Sequence, residues 1–464
     1  MSHREHSETH WSYPPVSYAV GGEGEKIAVT MPTYAIWTIG CQMNKADSAR
    51  LATALEARGY RPAPALEQAD VVVLNTCVVR ESAERRVIGR LNSLKGLKRR
   101  RPQVFIGVMG CFVSGDRPAL ARRFPHVSAF FTVEELADFM ALVPGGGANA
   151  SVHALQHPTW LSRPGGPAVT AYVPIIYGCN NFCSYCIVPY RRGRERSRPL
   201  DEIVCEVESL VAQGVREVTL LGQNVDSYGR DLPDRPDLAD LLTRLQPIAG
   251  LWRIRFLTSH PKDMSDKLIE TVATLPKVCQ AINLPVQAGD DAILQAMRRG
   301  YTVAQYRDLV ARMRARLPHL ALTTDVVVGF PGETVAQFQH TCDLLTELRF
   351  DQVHVAAYSP RPGTVAARLP DDVSPAEKER RRQAVEELQT RIAQEINATY
   401  LGRTVEVLVD GQHQGQWRGR TRTDKIVFFA DKAAWSGRLA QVTIEHAGPW
   451  SLRGRLVDET TPLP

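Results

Sequence analysis

The sequence predicts an α/β protein: a parallel α/β domain, a central partial (β/α)6 barrel of the TIM type, and a small C-terminal antiparallel β-barrel. Three observations carry this. From residue 32 to about 142, continuous apolar runs alternate with helical stretches, the pattern of a parallel sheet covered on both faces. From 172 the alternation restarts and runs for six strand–helix units, which suits a partial barrel. Beyond 401 short β segments are separated by Gly and charged turns, which suits a small antiparallel barrel.

Taken in order, residues 1–30 are polar, lack a period and are expected to be disordered. Strands are expected at 34–39, 71–75 and 104–109, with helices at 48–58, 81–94 and 118–123. Residues 145–166, rich in Gly, Pro and Ala, read as a linker. Barrel strands are expected at 172–177, 217–221, 253–258, 281–285, 321–328 and 352–358. Helices fall between them at 200–213, 236–247, 262–275, 291–299 with 303–315, and 334–348. Residues 374–400, charged and rich in Ala, Glu and Arg, read as one helix, followed by strands at 404–409, 425–429 and 441–445. The implied divisions are an extension over 1–31, then domains over 32–148, 165–395 and 396–462.

A hydrophobic fraction of 44% and a charged fraction of 23% place the chain among ordinary globular proteins. No apolar run reaches the roughly 18 residues of a membrane span, and the polar, His-rich start does not resemble a secretion signal. The net charge of +6 is too small to name a partner, but its distribution is uneven. Residues 85–101 hold eight Lys/Arg and no acid; residues 191–198 hold five Arg against one Glu. Exposed clusters of this kind attract phosphate backbones, although a solvated helix face gives the same count at 85–101.

The cysteines point to chemistry. Cys179, Cys183 and Cys186 lie in Tyr-Gly-Cys-Asn-Asn-Phe-Cys-Ser-Tyr-Cys (177–186), a C-x3-C-x2-C spacing just after the first barrel strand. Three thiolates cannot complete a tetrahedral zinc site or ligate all four irons of a [4Fe–4S] cube, so one corner stays open for reaction. A structural zinc knuckle wants a fourth ligand nearby, and the next histidine is His260. Cys41, Cys77 and Cys111 form no local motif. Each lies at or just after the end of an expected parallel strand, where open α/β sheets bind ligands. Neighbouring strands are about 4.8 Å apart, so these thiols can converge on one cluster; three buried core cysteines are the alternative. Cys205, Cys279 and Cys342 read as structural.

Several stretches resemble one family. Gly-Cys-Gln-Met-Asn (40–44), Asn-Thr-Cys (75–77) and Gly-Cys (110–111) are similar to its N-terminal cysteine domain. The loop 178–193, Leu-Leu-Gly-Gln-Asn-Val (220–225), Asn-Leu-Pro-Val-Gln (283–287), Asp-Val-Val-Val-Gly-Phe-Pro-Gly-Glu-Thr (325–334) and Tyr-Ser-Pro-Arg-Pro-Gly-Thr (358–364) continue the likeness. The resemblance is to the radical S-adenosylmethionine (SAM) methylthiotransferases, within them to the MiaB type, and it covers about residues 32–460. The C-terminal segment is similar to a TRAM domain. Trp37 and Ile39 depart from the family's Tyr or Thr before Gly-Cys, and Asp226 stands where Asn is usual.

The resemblance implies a transferase that inserts sulfur at C2 of a tRNA adenine and methylates it, using two [4Fe–4S] clusters and SAM. Cys179, Cys183 and Cys186 would hold the cluster that generates a 5′-deoxyadenosyl radical; Cys41, Cys77 and Cys111 would hold the one that carries sulfur. An aromatic C–H has no acidic proton, which is why a radical is needed. Tyr185, Gly222, Gln223, Asn224 and Asp325 are the expected SAM contacts, with turn and core polar roles as the alternative; no residue is named as catalytic. Trp417, Arg418, Arg420, Arg422 and Lys425 offer cations and an aromatic on a β-hairpin, a mixture that reads single-stranded RNA. The expected partners are tRNA at its anticodon stem-loop, an electron donor such as flavodoxin or ferredoxin, and a sulfur donor. No membrane is involved, and the chain is expected to act as a monomer in the cytoplasm. The expected substrate is N6-isopentenyladenosine. Rival readings are threonylcarbamoyladenosine, a ribosomal-protein aspartate, or a non-catalytic metal-binding RNA module.

Overall fold

A computed structural model describes residues 31–77, 81–144 and 168–457. The expected extension over 1–30 and linker over 145–166 lie outside these residues. The chain divides into two compact units at residue 165.

The first unit runs β1 (Thr33–Thr38), α1 (Gln42–Ala57), β2 (Arg61–Pro62), β3 (Val71–Thr76), α2 (Glu81–Arg100), β4 (Phe105–Gly110), α3 (Arg117–Arg123), β5 (Ala129–Phe131) and α4 (Leu136–Leu142). Its sheet is parallel, in the order β2-β1-β3-β4-β5. Strand β3 is central and buried at every position, as its unbroken Val-Val-Val-Leu run requires. Val72 and Leu74 pack with Val87, Leu91 and Leu94 of α2 on one face. Val71 and Val73 pack with Leu51 and Leu55 of α1 and Phe139 of α4 on the other. Helix α1 starts at Gln42, well before the expected 48, because its first turns bury the polar Asn44 and Asp47, which hide the period.

The second unit continues with β6 (Thr170–Pro174), β7 (Ile176–Tyr177), α5 (Val188–Arg192), β8 (Arg196–Ser197), α6 (Leu200–Ala212), β9 (Glu217–Leu221), α7 (Leu238–Leu245), β10 (Arg253–Leu257) and α8 (Asp266–Thr274). Then come β11 (Ala281–Asn283), α9 (Asp291–Ala296), α10 (Val303–Arg316), β12 (Ala321–Val328), α11 (Val335–Leu348), β13 (Gln352–Ala357) and α12 (Pro375–Ala398). Two parallel sheets, β10-β9-β6 and β11-β12-β13, are joined by a bridge between Ile254 and Val278 and by Ser259 N donating to Asn283 O (3.0 Å). They form an open, six-stranded partial barrel. The expected strand over 172–177 is divided: β6 joins the barrel, whereas β7 pairs antiparallel with β8.

The chain ends in a closed barrel of β14 (Thr404–His413), β15 (Gln416–Arg420), β16 (Ile426–Phe429), β17 (Leu439–Ala447) and β18 (Leu452–Leu456), ordered β14-β15-β16-β18-β17. Strands β15 and β18 were not expected, because Gly419 and Gly454 make them read as turns. Both glycines are needed for close approach: a Cβ would meet Leu408 O at 2.3 Å and Thr443 O at 2.0 Å. The small barrel is seated on the N-terminal ends of the larger one. Buried Arg253 reaches Arg420 O (2.6 Å) and Glu406 Oε1 (2.7 Å), and Arg255 reaches Glu217 (3.0 Å) and Thr421 O (2.7 Å).

Candidate metal centres and nucleic-acid face

In the first unit, Cys41, Cys77 and Cys111 follow β1, β3 and β4, three adjacent parallel strands. The backbone ties them together: Ile39 N donates to Asn75 O (2.9 Å) and Cys111 N to Thr76 O (3.0 Å). Gly40 (φ +131°) has no room for a side chain, since a Cβ would stand 2.6 Å from Cys77 Cβ. Cys41 is the N-cap of α1 and makes no capping bond, so its thiol sits at the end of a helix that favours an anion. Asn44 Nδ2 lies within donating distance of Ile39 O (3.1 Å), Asn75 Oδ1 (3.1 Å) and Thr76 O (2.9 Å), tying α1 to the loops after β1 and β3. Asn75 Nδ2 returns the contact to Asn44 O (2.7 Å).

In the second unit the Cys179–Cys186 loop grows from β7 and folds back on β8. Cys179 N donates to Gly193 O (3.2 Å). Gly178 (φ +74°) passes so close to Arg194 O that a Cβ would lie 2.0 Å away. Cys179 and Cys183 are buried and Cys186 half-buried. Burial pushes the Cys179 thiol up to about 11 and Cys186 up to about 12. Such thiols are poor free nucleophiles, but they suit a metal, which supplies the positive charge that desolvation withholds. Arg299 supplies some already: Nη1 donates to Cys183 Sγ (3.2 Å). Ser184 is pinned by Met297 O (3.0 Å) and Ala296 O (2.7 Å). Among the described residues, no three His, Cys, Asp or Glu side chains gather as tightly as a single ion needs. Ligands of a cube bind separate irons and stand further apart.

Of the expected SAM contacts, Gly222, Gln223 and Asn224 follow β9, Asp325 lies within β12, and Tyr185 lies in the cysteine loop. Tyr185 is half-buried between Cys183 and Cys186, and burial raises its hydroxyl well above the usual range. Gly222 follows β9, where a Cβ would meet Ile176 Cγ2 at 2.5 Å. Gln223 is half-buried. Asn224 Nδ2 donates to Asp263 Oδ2 (2.7 Å), and its buried Oδ1 has no hydrogen-bond partner. Asp325 lies mid-strand in β12, accepting from Asn283 Nδ2 (3.0 Å) and paired in register with exposed His354. Of the other cysteines, Cys279 is buried and Cys342 half-buried, but Cys205 is exposed on α6.

The expected RNA hairpin needs correction. Trp417 is buried in the small barrel's core, its indole N–H held by Asp431 O (3.1 Å). Half-exposed Arg422 donates from Nη2 to Pro276 O (2.6 Å) and Val278 O (2.8 Å), and buried Lys425 pairs with Asp351 (2.6 Å). These three serve packing. Arg418 and Arg420 remain half-exposed, paired with Asp410 and Asp424 (2.9 Å each).

Sequence reasoning missed a row on the barrel's outer surface. Arg418, Phe428, Arg453 and His446 are cross-strand neighbours on β15, β16, β18 and β17. His413 stands 6.0 Å from the Phe428 ring. The signal was available as strand alternation: 417 and 419 point in, 418 and 420 out. Arg299, 116 residues from Cys183, left no such signal.

Comparisons place these features among known proteins. Residues 173–345 match the Radical SAM superfamily, 33–132 the Uncharacterized protein family UPF0004, and 398–457 the TRAM domain. The chain is 52% identical over 435 residues to the tRNA-2-methylthio-N(6)-dimethylallyladenosine synthase of Roseiflexus sp. (strain RS-1), covering 92% of this chain and 90% of that one. It is 52% identical over 427 residues to the protein of that name from Chloroflexus aurantiacus (strain ATCC 29366 / DSM 635 / J-10-fl), covering 91% of each. A solved radical S-adenosylmethionine methyltransferase, TsrM from Kitasatospora setae with cobalamin and [4Fe-4S] cluster bound, matches with a TM-score of 0.54 at 16% identity. The match spans 73% of this chain and 77% of that one, and the likeness is one of fold.

Proposed function

The chain belongs to the tRNA-2-methylthio-N(6)-dimethylallyladenosine synthase family, and we propose that it converts N6-isopentenyladenosine beside the anticodon of tRNA to the 2-methylthio derivative. The observation that carries this is the pairing of a three-cysteine loop after the first barrel strand with three strand-end cysteines in a separate unit. Bound to these two sets, two [4Fe–4S] clusters, together with SAM, supply one-electron carbon–sulfur cleavage and the sulfur and methyl group for C2 of the base.

The protein's own residues hold and shield. Cys179, Cys183 and Cys186 would take the cluster that leaves one iron for SAM; Arg299 fixes Cys183 and offsets thiolate charge. Cys41, Cys77 and Cys111 would take the second, the first two on loops tied by Asn44 and Asn75 and the third held by the bond from Cys111 N to Thr76 O. Tyr185 would pack against SAM, and Gly222, whose missing side chain makes room for Ile176, would offer its backbone to SAM. Gln223 would face it too, and the unpartnered Asn224 Oδ1 suits a donor such as its amino group. Asp325, which accepts from Asn283 Nδ2, would take a hydroxyl of the same ligand.

RNA contact passes to the outward row of Arg418, Phe428 and Arg453, with Arg420 beside it, for phosphate pairing and base stacking. The anticodon stem-loop is the proposed docking element. A flavodoxin- or ferredoxin-type electron donor, a sulfur donor, and work as a cytoplasmic monomer complete the reading. Among the described residues no helix is long and apolar enough to cross a membrane.

The test is mass analysis of tRNA nucleosides from cells lacking this protein, beside iron and sulfide assay of the anaerobically reconstituted chain. Accumulated isopentenyladenosine without its methylthio form, and two clusters per chain, are expected. Loss of a methylthio group from threonylcarbamoyladenosine instead would move the substrate to the rival base; a single cluster, or zinc alone, would sink the enzyme reading.

A further inference from the structure

We propose that Tyr190, Phe182 and Arg194 form a stacking seat for an unpaired RNA base flanking the target adenosine, on the rim of the Cys179–Cys186 loop. The proposal rests on the RNA substrate reading above and names where on this unit the strand is gripped. Tyr190 is 48% exposed, one of eight large apolar side chains exposed among the described residues. Its ring meets Phe182 edge to face at 5.8 Å. Arg194 lies over the Phe182 ring, 4.6 Å from its centroid. One face of Phe182 is therefore taken by a cation, and the Tyr190 ring and the guanidinium plane stand at the surface.

Three features make this a built site rather than a stray patch. Phe182 sits at φ +47°, a left-handed conformation that a bulky residue adopts only where its surroundings impose it. The surroundings do impose it: Asn180 N and Nδ2 both bond Glu195 at 3.2 Å, and Cys179 N bonds Gly193 O, closing the loop against β8. The patch is thereby fixed between two candidate cluster ligands, Cys179 and Cys183.

Charge selects the occupant. The segment 191–198 carries five Arg against one Glu; Arg198 is spent on Glu206 (2.6 Å) and Pro174 O (2.8 Å), and Arg194 is the exposed cation at the seat. A protein partner would have to be acidic and aromatic-binding at once. A single-stranded nucleic acid satisfies both demands by its nature, since phosphates meet the arginines and bases stack on aromatic and guanidinium planes. A base held here would sit beside the reacting centre, so the seat would position the neighbouring adenosine rather than read its modification.

The test uses the reconstituted full chain and an anticodon stem-loop RNA carrying 2-aminopurine next to the target adenosine. Stacking on Tyr190 should quench the probe as the RNA binds. Tyr190→Ala should bind about tenfold more weakly and lose most of the quench, with iron and sulfide content unchanged; Tyr190→Phe should restore both. Arg194→Gln should weaken binding severalfold. Wild-type affinity and quenching in Tyr190→Ala, beside a wild-type protein that binds the RNA, would overturn the seat and leave the substrate reading standing. A wild-type protein that fails to bind the stem-loop would overturn both. Should Tyr190→Ala lose iron, Arg194→Gln decides alone, and a wild-type quench there overturns the seat.

Discussion

Arg299 donates from Nη1 to Cys183 Sγ across 3.2 Å, and both residues are buried. The guanidinium cannot turn away, because Nε is held by the Tyr301 hydroxyl (3.0 Å) and Nη2 donates to Pro285 O (3.1 Å). A fixed cation and an N–H···S bond both stabilise the more negative, reduced form of a cluster ligated at that sulfur. Arg299→Met should therefore move the loop cluster's reduction potential to more negative values and slow reductive cleavage of SAM. Arg299→Lys should recover part of the shift. A redox titration followed by electron paramagnetic resonance reads this, and an unchanged potential would remove Arg299 from the tuning role.

Gly40 tests the other set of thiols without touching a thiol. Alanine there would meet Cys77 Cβ at 2.6 Å and would have to adopt φ +131°. The strain costs about 1–3 kcal/mol, relieved by moving the Cys41 or Cys77 loop. Gly40→Ala should fold with a lowered melting temperature and bind about half the wild-type iron, keeping the loop cluster in the second unit. Full iron content would show that close approach at Gly40 is not what holds the Cys41 and Cys77 loops in place.

What could be read from the sequence depended on the range of the signal. Strands β9 and β12 match their expected bounds, because continuous apolar runs with turn residues at each end are local. The C-x3-C-x2-C loop was legible from its spacing, and Cys41, Cys77 and Cys111 from the ends of the expected strands. Arg299 was not, since its role exists only after residues 183 and 299 are folded together. Trp417, Arg422 and Lys425 were misread for a related reason: composition marked the hairpin, but the alternation of β15 turns Trp417 inward, and carbonyls at 276 and 278 claim Arg422. Exposure on a β-barrel is decided residue by residue, so a block of charge is a poor guide to its face.

The outward row gives the prediction that replaces the hairpin. Phe428 is flanked in register by Arg418 and Arg453, with His413 near its ring. Phe428→Ala should cost about 1–3 kcal/mol of tRNA affinity, the range for one lost base stack. It should raise KM for tRNA with little change in kcat. Arg453→Ala should weaken binding and flatten its salt dependence by about one counterion. A binding titration across salt concentrations separates the two, and wild-type affinity in both variants would mean RNA docks elsewhere.

Asp226 and His260 set a pH response of opposite signs at the ends of β9 and β10. Asp226 is buried and accepts from Ser259 Oγ (2.9 Å) and His260 N (3.0 Å). Burial pushes its carboxyl up to about 7. Burial pushes the His260 imidazole down to about 3. In the unfolded chain these groups titrate near about 3.9 and 6.5. Folded Asp226 holds its proton more tightly, so its contribution to stability is full below about 3.9 and is lost as pH rises to about 7. Folded His260 binds a proton less readily, so its contribution is full above about 6.5 and is lost as pH falls toward about 3. Between about 4 and 6.5 the two slopes offset each other in the wild-type protein. Asp226→Asn keeps the shape, and Asn is the residue the family resemblance led us to expect. It removes one slope and leaves the other. The variant should gain over wild type at pH 8, by about 1.4 kcal/mol for each unit by which Asp226 is raised. The gain should shrink by pH 5 and vanish below about pH 4, while the variant's own stability falls as pH drops below about 6.5. Denaturant unfolding at pH 4, 5, 6.5 and 8 measures the difference, and a gain independent of pH would show that Asp226 is not held protonated by the fold.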